Sequence, residues 1–204
     1  MSHWSAEFWD ERYAAAHHIW SGNPNPRLVE HATGLAPGTA LDVGCGEGAD
    51  AVWLARAGWQ VTGIDISRVA LDKAARHAEE AGVAERCTFA RVDLLADPEL
   101  PRVDLVSAQF LHVPDEHFTA VYGALADAVL PGGALLVGAH HPADAATGLR
   151  NPELSHLLFG PEKVTALLDP ADWDVRVAGR FPREVVKDGE TISVSDTVVL
   201  AVRR

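Results

Sequence analysis

The chain has 204 residues, of which 48% are hydrophobic and 23% charged, the balance of a soluble globular protein long enough to bury a proper core. Its formal net charge of −12 opposes a phosphate backbone, where lysines and arginines must replace counterions, and the terminal Arg203-Arg204 pair is too small a basic cluster to offset it. No apolar run approaches the roughly 20 residues of a membrane span, and the first twenty residues lack the apolar core of a signal peptide, so the expectation is a cytoplasmic protein with neither a nucleic-acid nor a membrane partner.

Roughly thirty-eight residues precede the first strand, and they carry Trp4, Phe8, Trp9, Tyr13 and Trp20 among charges. They read as helices that cover something: residues 1–38 form an N-terminal helical cover, or lid, and residues 39–204 the main domain. His17 and His18 fall on a surface-like helix end and take no chemical assignment.

From Ala40 onward strands and helices alternate. Ala40–Val43 is a short apolar run ending at glycines, and Asp50–Ala57 has helical spacing. Gln60–Ile64 is strand-like; Ser67 is a good N-cap for a helix over Arg68–Ala81, which Gly82 stops. Cys87–Val92 and Val103–Ala108 are further strands, with a helix over His117–Val129 after Pro114. Leu130-Pro131-Gly132-Gly133 reads as a turn before the buried strand Ala134–Ala139. Such alternation implies parallel strands joined by right-handed helical crossovers, a Rossmann-like, doubly wound α/β sheet. After the helix Pro161–Leu168, the strand-like stretches Trp173–Val186 and Ile192–Val202 flank KDGE, an Asp-Gly hairpin signal, so an antiparallel hairpin finishes the sheet. Cys45 and Cys87 lie inside predicted core elements without CxxC spacing and read as buried free thiols.

LDVGCGEG, residues 41–48, places three glycines at every second position behind a short strand. Glycine suits that place because the backbone must curl tightly and let a ligand come within contact distance. Asp65 ends the second strand, 23 positions after Asp42 and 17 after Gly48, where a carboxylate can accept from both hydroxyls of a ribose. The dinucleotide fingerprint is G-x-G-x-x-G; here the third glycine comes one residue early and Glu47 stands in the turn. A pyrophosphate disfavours that carboxylate, whereas a cationic sulfonium with an amino-acid end tolerates it.

LDVGCGEG, VTGIDIS, ARVDLL, DLVSAQFLH and LPGGALLVG, in that order, resemble the successive motifs of class I S-adenosylmethionine-dependent methyltransferases. The resemblance runs from about Trp9 to the C-terminus and implies a seven-stranded sheet with an antiparallel last strand. FWDERY and IWSGNPN resemble, within that family, small-molecule enzymes of the tellurite-resistance and thiopurine methyltransferase type. The resemblance implies that Asp42, Gly44, Gly46 and Gly48 hold the methionine end of the cofactor and that Asp65 binds the ribose. Ile66 then packs on the adenine, Asp93 and the Leu94 amide meet its polar edge, and Gln109 faces the cofactor. Trp9, Tyr13 and Trp20 belong to the cover.

Methyl transfer needs acceptor and methyl group held in near-attack geometry, and a base only where the acceptor must lose a proton. His112, just past the fourth strand, and His140, past the fifth, are the candidate catalytic residues; imidazole titrates near neutrality. His141 and Arg150 are candidates for the acceptor pocket, Arg150 lying in the long connection Pro142–Gly160 and suiting an anionic acceptor. No metal is expected, since no H-x₃-H or HExxH spacing occurs. The sequence lacks the Asn/Asp-Pro-Pro-aromatic tetrad of enzymes that methylate exocyclic base amines. The expected function is methyl transfer to a small-molecule thiol, hydroxyl or metalloid oxyanion, and the alternatives are a protein that binds the cofactor without reacting and an NAD-dependent dehydrogenase.

Overall fold

The computed structural model describes residues 4–96, 98–147, 149, 151–187 and 189–204. In chain order the elements are α1 Ala6–Ala14, α2 Pro26–Ala32, β1 Thr39–Val43, α3 Ala49–Arg56, β2 Gln60–Asp65, α4 Arg68–Glu80, β3 Cys87–Arg91, β4 Val103–Gln109, α5 Asp115–Asp127, β5 Val129–His140, α6 Pro161–Thr165, β6 Trp173–Lys187 and β7 Glu190–Arg203. The strands form one sheet in the order β3-β2-β1-β4-β5-β7-β6, and β7 runs antiparallel to both its neighbours. Strand order reverses between β1 and β4, so the crevice over their carboxyl ends is where a ligand can enter between the diverging loops.

Period-two alternation divides the core between two faces. Leu41, Val43, Val106, Val137 and Val199 pack with Phe118, Val121, Tyr122 and Leu125 of α5. Ala40, Val61, Leu105, Leu136 and Val198 pack on the other face with Leu28 of α2 and Ala51 and Leu54 of α3. Each strand therefore aims successive side chains at opposite layers, which fixes register: a slip of one residue would exchange the layers.

Three boundaries depart from the sequence reading. Helix α5 starts at Asp115 rather than His117 because Pro114 is already extended and acidic Asp115 and Glu116 occupy its first turn, where negative charge is favoured. Strand β5 starts at Val129 rather than Ala134: Val129 pairs with Val103, and the ladder resumes at Ala134 opposite Leu105 after an irregularity. Gly133 is required there, since a Cβ would stand 2.7 Å from the Asp104 carbonyl oxygen on the neighbouring strand. Helix α6 closes at Thr165, short of Leu168. The terminal hairpin forms, with Lys187 opposite Glu190 and Gly189 at φ 84°; Asp188 lies outside the described residues. Cys45 is buried and Cys87 half-buried, and both are free thiols. No helix among the described residues is long and apolar enough to cross a membrane.

Candidate active site

The glycine turn follows β1 at the crevice. Gly44 and Cys45 donate their amides to the Ile64 carbonyl (2.8 and 3.0 Å), and Gly46 donates to Asp65 Oδ2 (2.9 Å). Three positive φ values, 67° at Gly44, 52° at Gly46 and 83° at Gly48, make the curl, a conformation in which a Cβ meets the backbone. The three glycines nevertheless serve different needs. A Cβ on Gly46 would stand 2.8 Å from the Tyr13 hydroxyl, so this glycine marks the mouth of the cradle. A Cβ on Gly48 would stand 2.7 Å from Ala74 Cβ on α4, so the third glycine lets two helices meet.

Two carboxyl groups flank the turn. Asp65 accepts from Gly46 N and, through Oδ1, from Ser67 N (2.8 Å); burial pushes its carboxyl up, opposed by these bonds. Asp42 on β1 is 2% exposed, and its Oδ2 is buried without a hydrogen-bond partner. Burial, then the charges of Asp50 and Asp65, push Asp42 well above the usual carboxylate range. A buried carboxyl oxygen without a partner could take a cation or a donor supplied from outside.

The N-terminal segment lies across this turn. Trp20 Nε1 donates to the Tyr13 hydroxyl (3.1 Å), and the Trp9 ring lies 6.0 Å from that of Tyr13. The Arg12 guanidinium stands 5.6 Å from the Trp9 ring and 5.7 Å from the Trp20 ring, close enough for cation–π attraction. Tyr13, Trp20, Gly46 and Asp65 thus come together, with Asp42 beside them.

Glu47 differs from the sequence reading. Its carboxylate points away from the cradle and accepts from Ile19 N (3.1 Å), Trp20 N (3.2 Å) and Lys73 Nζ (3.0 Å). Burial opposes its ionisation, but Lys73 and the two amides outweigh burial and hold its carboxyl below the usual value. The acid in the turn therefore says nothing directly about the charge of a ligand. Asp50 likewise takes Asn25, through its amide (2.6 Å) and side chain (2.7 Å). Removing one partner of a buried pair such as Glu47–Lys73 costs about 3–5 kcal/mol, because the other charge stays buried alone.

A second cluster lies at the ends of β4 and β5. Phe110 has φ 55°, a strained value for a residue with a Cβ, and donates its amide to the Gly138 carbonyl (2.6 Å). Its ring lies 4.4 Å from that of His140, and the His112 ring lies 5.6 Å from His140. The buried Tyr122 hydroxyl donates to the Leu111 carbonyl (3.1 Å) and steadies the loop carrying His112. His140 stands directly opposite Asp196 of β7, whose carboxylate takes Arg27 (3.2 Å) and Arg183 (3.0 Å). The two candidate bases are therefore neighbours.

Other predicted residues have quieter surroundings. His141 Nδ1 accepts from the Ala143 amide (3.1 Å) and starts the 3-10 turn Pro142–Thr147. Asp93 Oδ1 accepts from Leu95 N (2.9 Å), capping the turn after β3, while Leu94 lines an apolar cleft of about 300 Å³ with Leu100, His117 and Val121. Gln109 is buried, donating to Ser107 Oγ (3.2 Å) and the Leu136 carbonyl (3.4 Å), and its Oε1 fills the space that a Cβ on Gly138 would need. Ile66 is half-buried and gives its carbonyl to Arg91 Nε (3.0 Å). Arg150 lies outside the described residues. The connection around it is sewn to β7: Asp144 Oδ1 accepts from Ser195 N (2.8 Å) and Thr197 donates to the Phe159 carbonyl (2.6 Å). Among the described residues no group of three or more His, Cys, Asp or Glu is arranged to hold a metal ion.

This sheet order, with β7 alone reversed and a glycine turn leaving β1 at the point of reversal, is the class I S-adenosylmethionine-dependent methyltransferase fold. The model of a methyltransferase domain matches residues 40–133. The ubiquinone biosynthesis O-methyltransferase of Acinetobacter baylyi is 33% identical over 195 residues, 90% of this chain and 75% of the relative. That of Alkalilimnicola ehrlichii is 40% identical over 159 residues, 73% of this chain; the chain spans only 60% of that relative's length. The chain belongs to this methyltransferase family. The likeness to the tellurite-resistance type is one of fold: TehB from Haemophilus influenzae matches 98% of this chain and 67% of its own, with a TM-score of 0.73 and 18% identity.

Proposed function

We propose that the protein transfers the methyl group of S-adenosylmethionine to a hydroxyl oxygen of a small molecule. The observation that carries this reading is the glycine turn, in which Gly46 lies between Asp65 and the Tyr13 hydroxyl, beside the unpartnered Asp42 oxygen. These residues fit the cofactor: the curled backbone of Gly44–Gly46 and Asp42 suit its cationic amino-acid end, and Asp65 suits its ribose. When bound it supplies a methyl group on a sulfonium sulfur, open to displacement by a nucleophile. The relatives' names support a hydroxyl acceptor, and so do the paired histidines, since a hydroxyl must shed its proton whereas a thiolate or oxyanion need not.

In this reading residues 1–38 cover the bound cofactor and exclude water from it. His140 takes the acceptor's proton, and the His112 and Phe110 rings hold its imidazole at the ends of β4 and β5. Asp93 and Leu94 bound the adenine side, and His141 and Arg150 belong to the acceptor side. Labelled cofactor offered with phenols, thiols and metalloid oxyanions is expected to give O-methyl products. His140→Ala should lower turnover on phenols by about 10²–10⁴-fold, the usual contribution of a general base, and spare any acceptor already ionised. Methylation confined to thiols or oxyanions overturns the hydroxyl assignment, and an unaffected His140→Ala variant overturns the role of His140.

The proton load on Asp42 gives a second prediction. Burial raises its value in the folded chain, so the stability it contributes is complete at low pH and lost as pH rises through that value. A cation placed beside it favours the ionised form and recovers that loss. The thermal shift produced by saturating S-adenosylmethionine is therefore expected to widen as pH rises through the range in which Asp42 ionises, above the usual carboxylate range. A shift independent of pH, measured by differential scanning fluorimetry, would separate Asp42 from the cofactor.

A further inference from the structure

Glu47 stands between two glycines of the cradle, yet among the described residues the polar atoms that bond its side chain belong to the N-terminal segment and to α4. Its carboxylate takes the amides of Ile19 and Trp20 and the Lys73 ammonium, while its carbonyl accepts from His77 Nδ1 (2.8 Å). Lys73 and His77 are one turn apart on α4 and so share a face. Lys73 also donates to the carbonyls of Tyr13 (2.8 Å), Ala16 (2.7 Å) and His17 (3.0 Å), at and just past the end of α1, where a cation is favoured.

The near end of the same segment is tied as well. Asp10 accepts from Ser67 Oγ (2.6 Å) and Val69 N (3.2 Å) at the start of α4, beside the loop that carries Asp65. At the far end Asn25 is bound to Asp50. Residues 10–25 therefore cross the glycine turn tied at both ends, with Tyr13 and Trp20 over Gly46. A ligand seated on Gly46 must either pass residues 13–20 or enter before they close.

We infer that Glu47 and Lys73 are positioning residues, a latch that holds residues 10–25 closed over the cradle, so that cofactor affinity depends on two side chains that do not touch the cofactor. The inference rests on the proposed function. Affinity scales with the fraction of molecules in the binding-competent arrangement, and the latch sets that fraction.

S-adenosylhomocysteine is the probe, with its Kd measured by calorimetry and trypsin cleavage after Arg12 followed in parallel. Glu47→Gln and Lys73→Met are each expected to weaken binding by about tenfold and to speed cleavage after Arg12, with or without the probe, by a similar factor. The double variant should bind no more weakly than Lys73→Met alone, since both changes open one latch. Lys73→Arg, which keeps the charge and several donors, should retain most of the affinity. Circular dichroism and a melting curve establish that each variant folds; should Lys73→Met not fold, Asp10→Asn releases the other end and should act in the same direction. Folded Glu47→Gln and Lys73→Met or Asp10→Asn variants that bind within about twofold of the wild type overturn the latch alone. A wild-type chain that binds no S-adenosylhomocysteine overturns the proposed function and the latch together.

Discussion

Asp65→Ala is expected to weaken S-adenosylmethionine binding by about 10²–10⁴-fold. Two ribose hydroxyls donating to one carboxylate contribute about 1.5–3 kcal/mol each, and about 1.4 kcal/mol is a factor of ten in affinity. The substitution also frees the amides of Gly46 and Ser67, which Asp65 holds at 2.9 and 2.8 Å, so part of the loss is disorder of the turn. Asp65→Asn separates the two parts. Its remaining carbonyl oxygen keeps an acceptor but not the charge, and it should fall between wild type and alanine. Equilibrium dialysis with labelled cofactor measures all three, and a Kd within about threefold of wild type for Asp65→Ala would move the ribose elsewhere.

Gly48→Val is expected to act on stability. At φ 83° an L side chain is strained by about 1–2 kcal/mol, and an added Cβ 2.7 Å from Ala74 Cβ overpacks the meeting of α3 and α4 by about 1–3 kcal/mol more. The neighbour is helix backbone and methyl, not the loose end of a long side chain, so it cannot swing away. A loss of about 2–5 kcal/mol lowers the melting temperature by about 4–20 °C in a chain of this size. Gly46→Ala carries a similar positive-φ strain at 52° but meets a tyrosine hydroxyl rather than a helix, so it should cost cofactor affinity as well as stability. Equal melting temperatures for Gly48→Val and wild type would refute the packing role.

The parts of the site made by neighbours in sequence were legible. Ser67 caps α4, the glycines curl after β1, and Asp65 meets the turn, because each depends on short-range backbone geometry and the strand order that alternation implies. Glu47 was read in its charge but not in its direction, since its partners lie 26 to 28 positions away along the chain. Lys73 was missed, although α4 carries a signal: Ala70, Ala74 and Ala78 mark the buried face, and Lys73 sits beside it where a solvated lysine would not. A buried lysine next to an alanine stripe asks for acceptors from elsewhere, and α1 ends with three. Phe110 had no signal, because a positive φ at a bulky residue is imposed by tertiary contacts. The helix boundaries at α5 and the long β5 depended on a pairing between Val103 and Val129 that local pattern does not reveal.

The contacts of the N-terminal segment also set an order of events during synthesis. Tyr13, Ala16, Ile19 and Trp20 dock on Glu47 and Lys73, and Arg27 reaches Asp196, 169 residues further on. While residues 10–27 leave the ribosome, none of these acceptors or donors yet exists, and a nascent α1 of nine residues is too short to persist in water alone. This segment therefore settles only after β1 to α4 have formed, and Arg27 only after β7. Until then Tyr13, buried in the folded chain, stays exposed, and a chaperone would find it there.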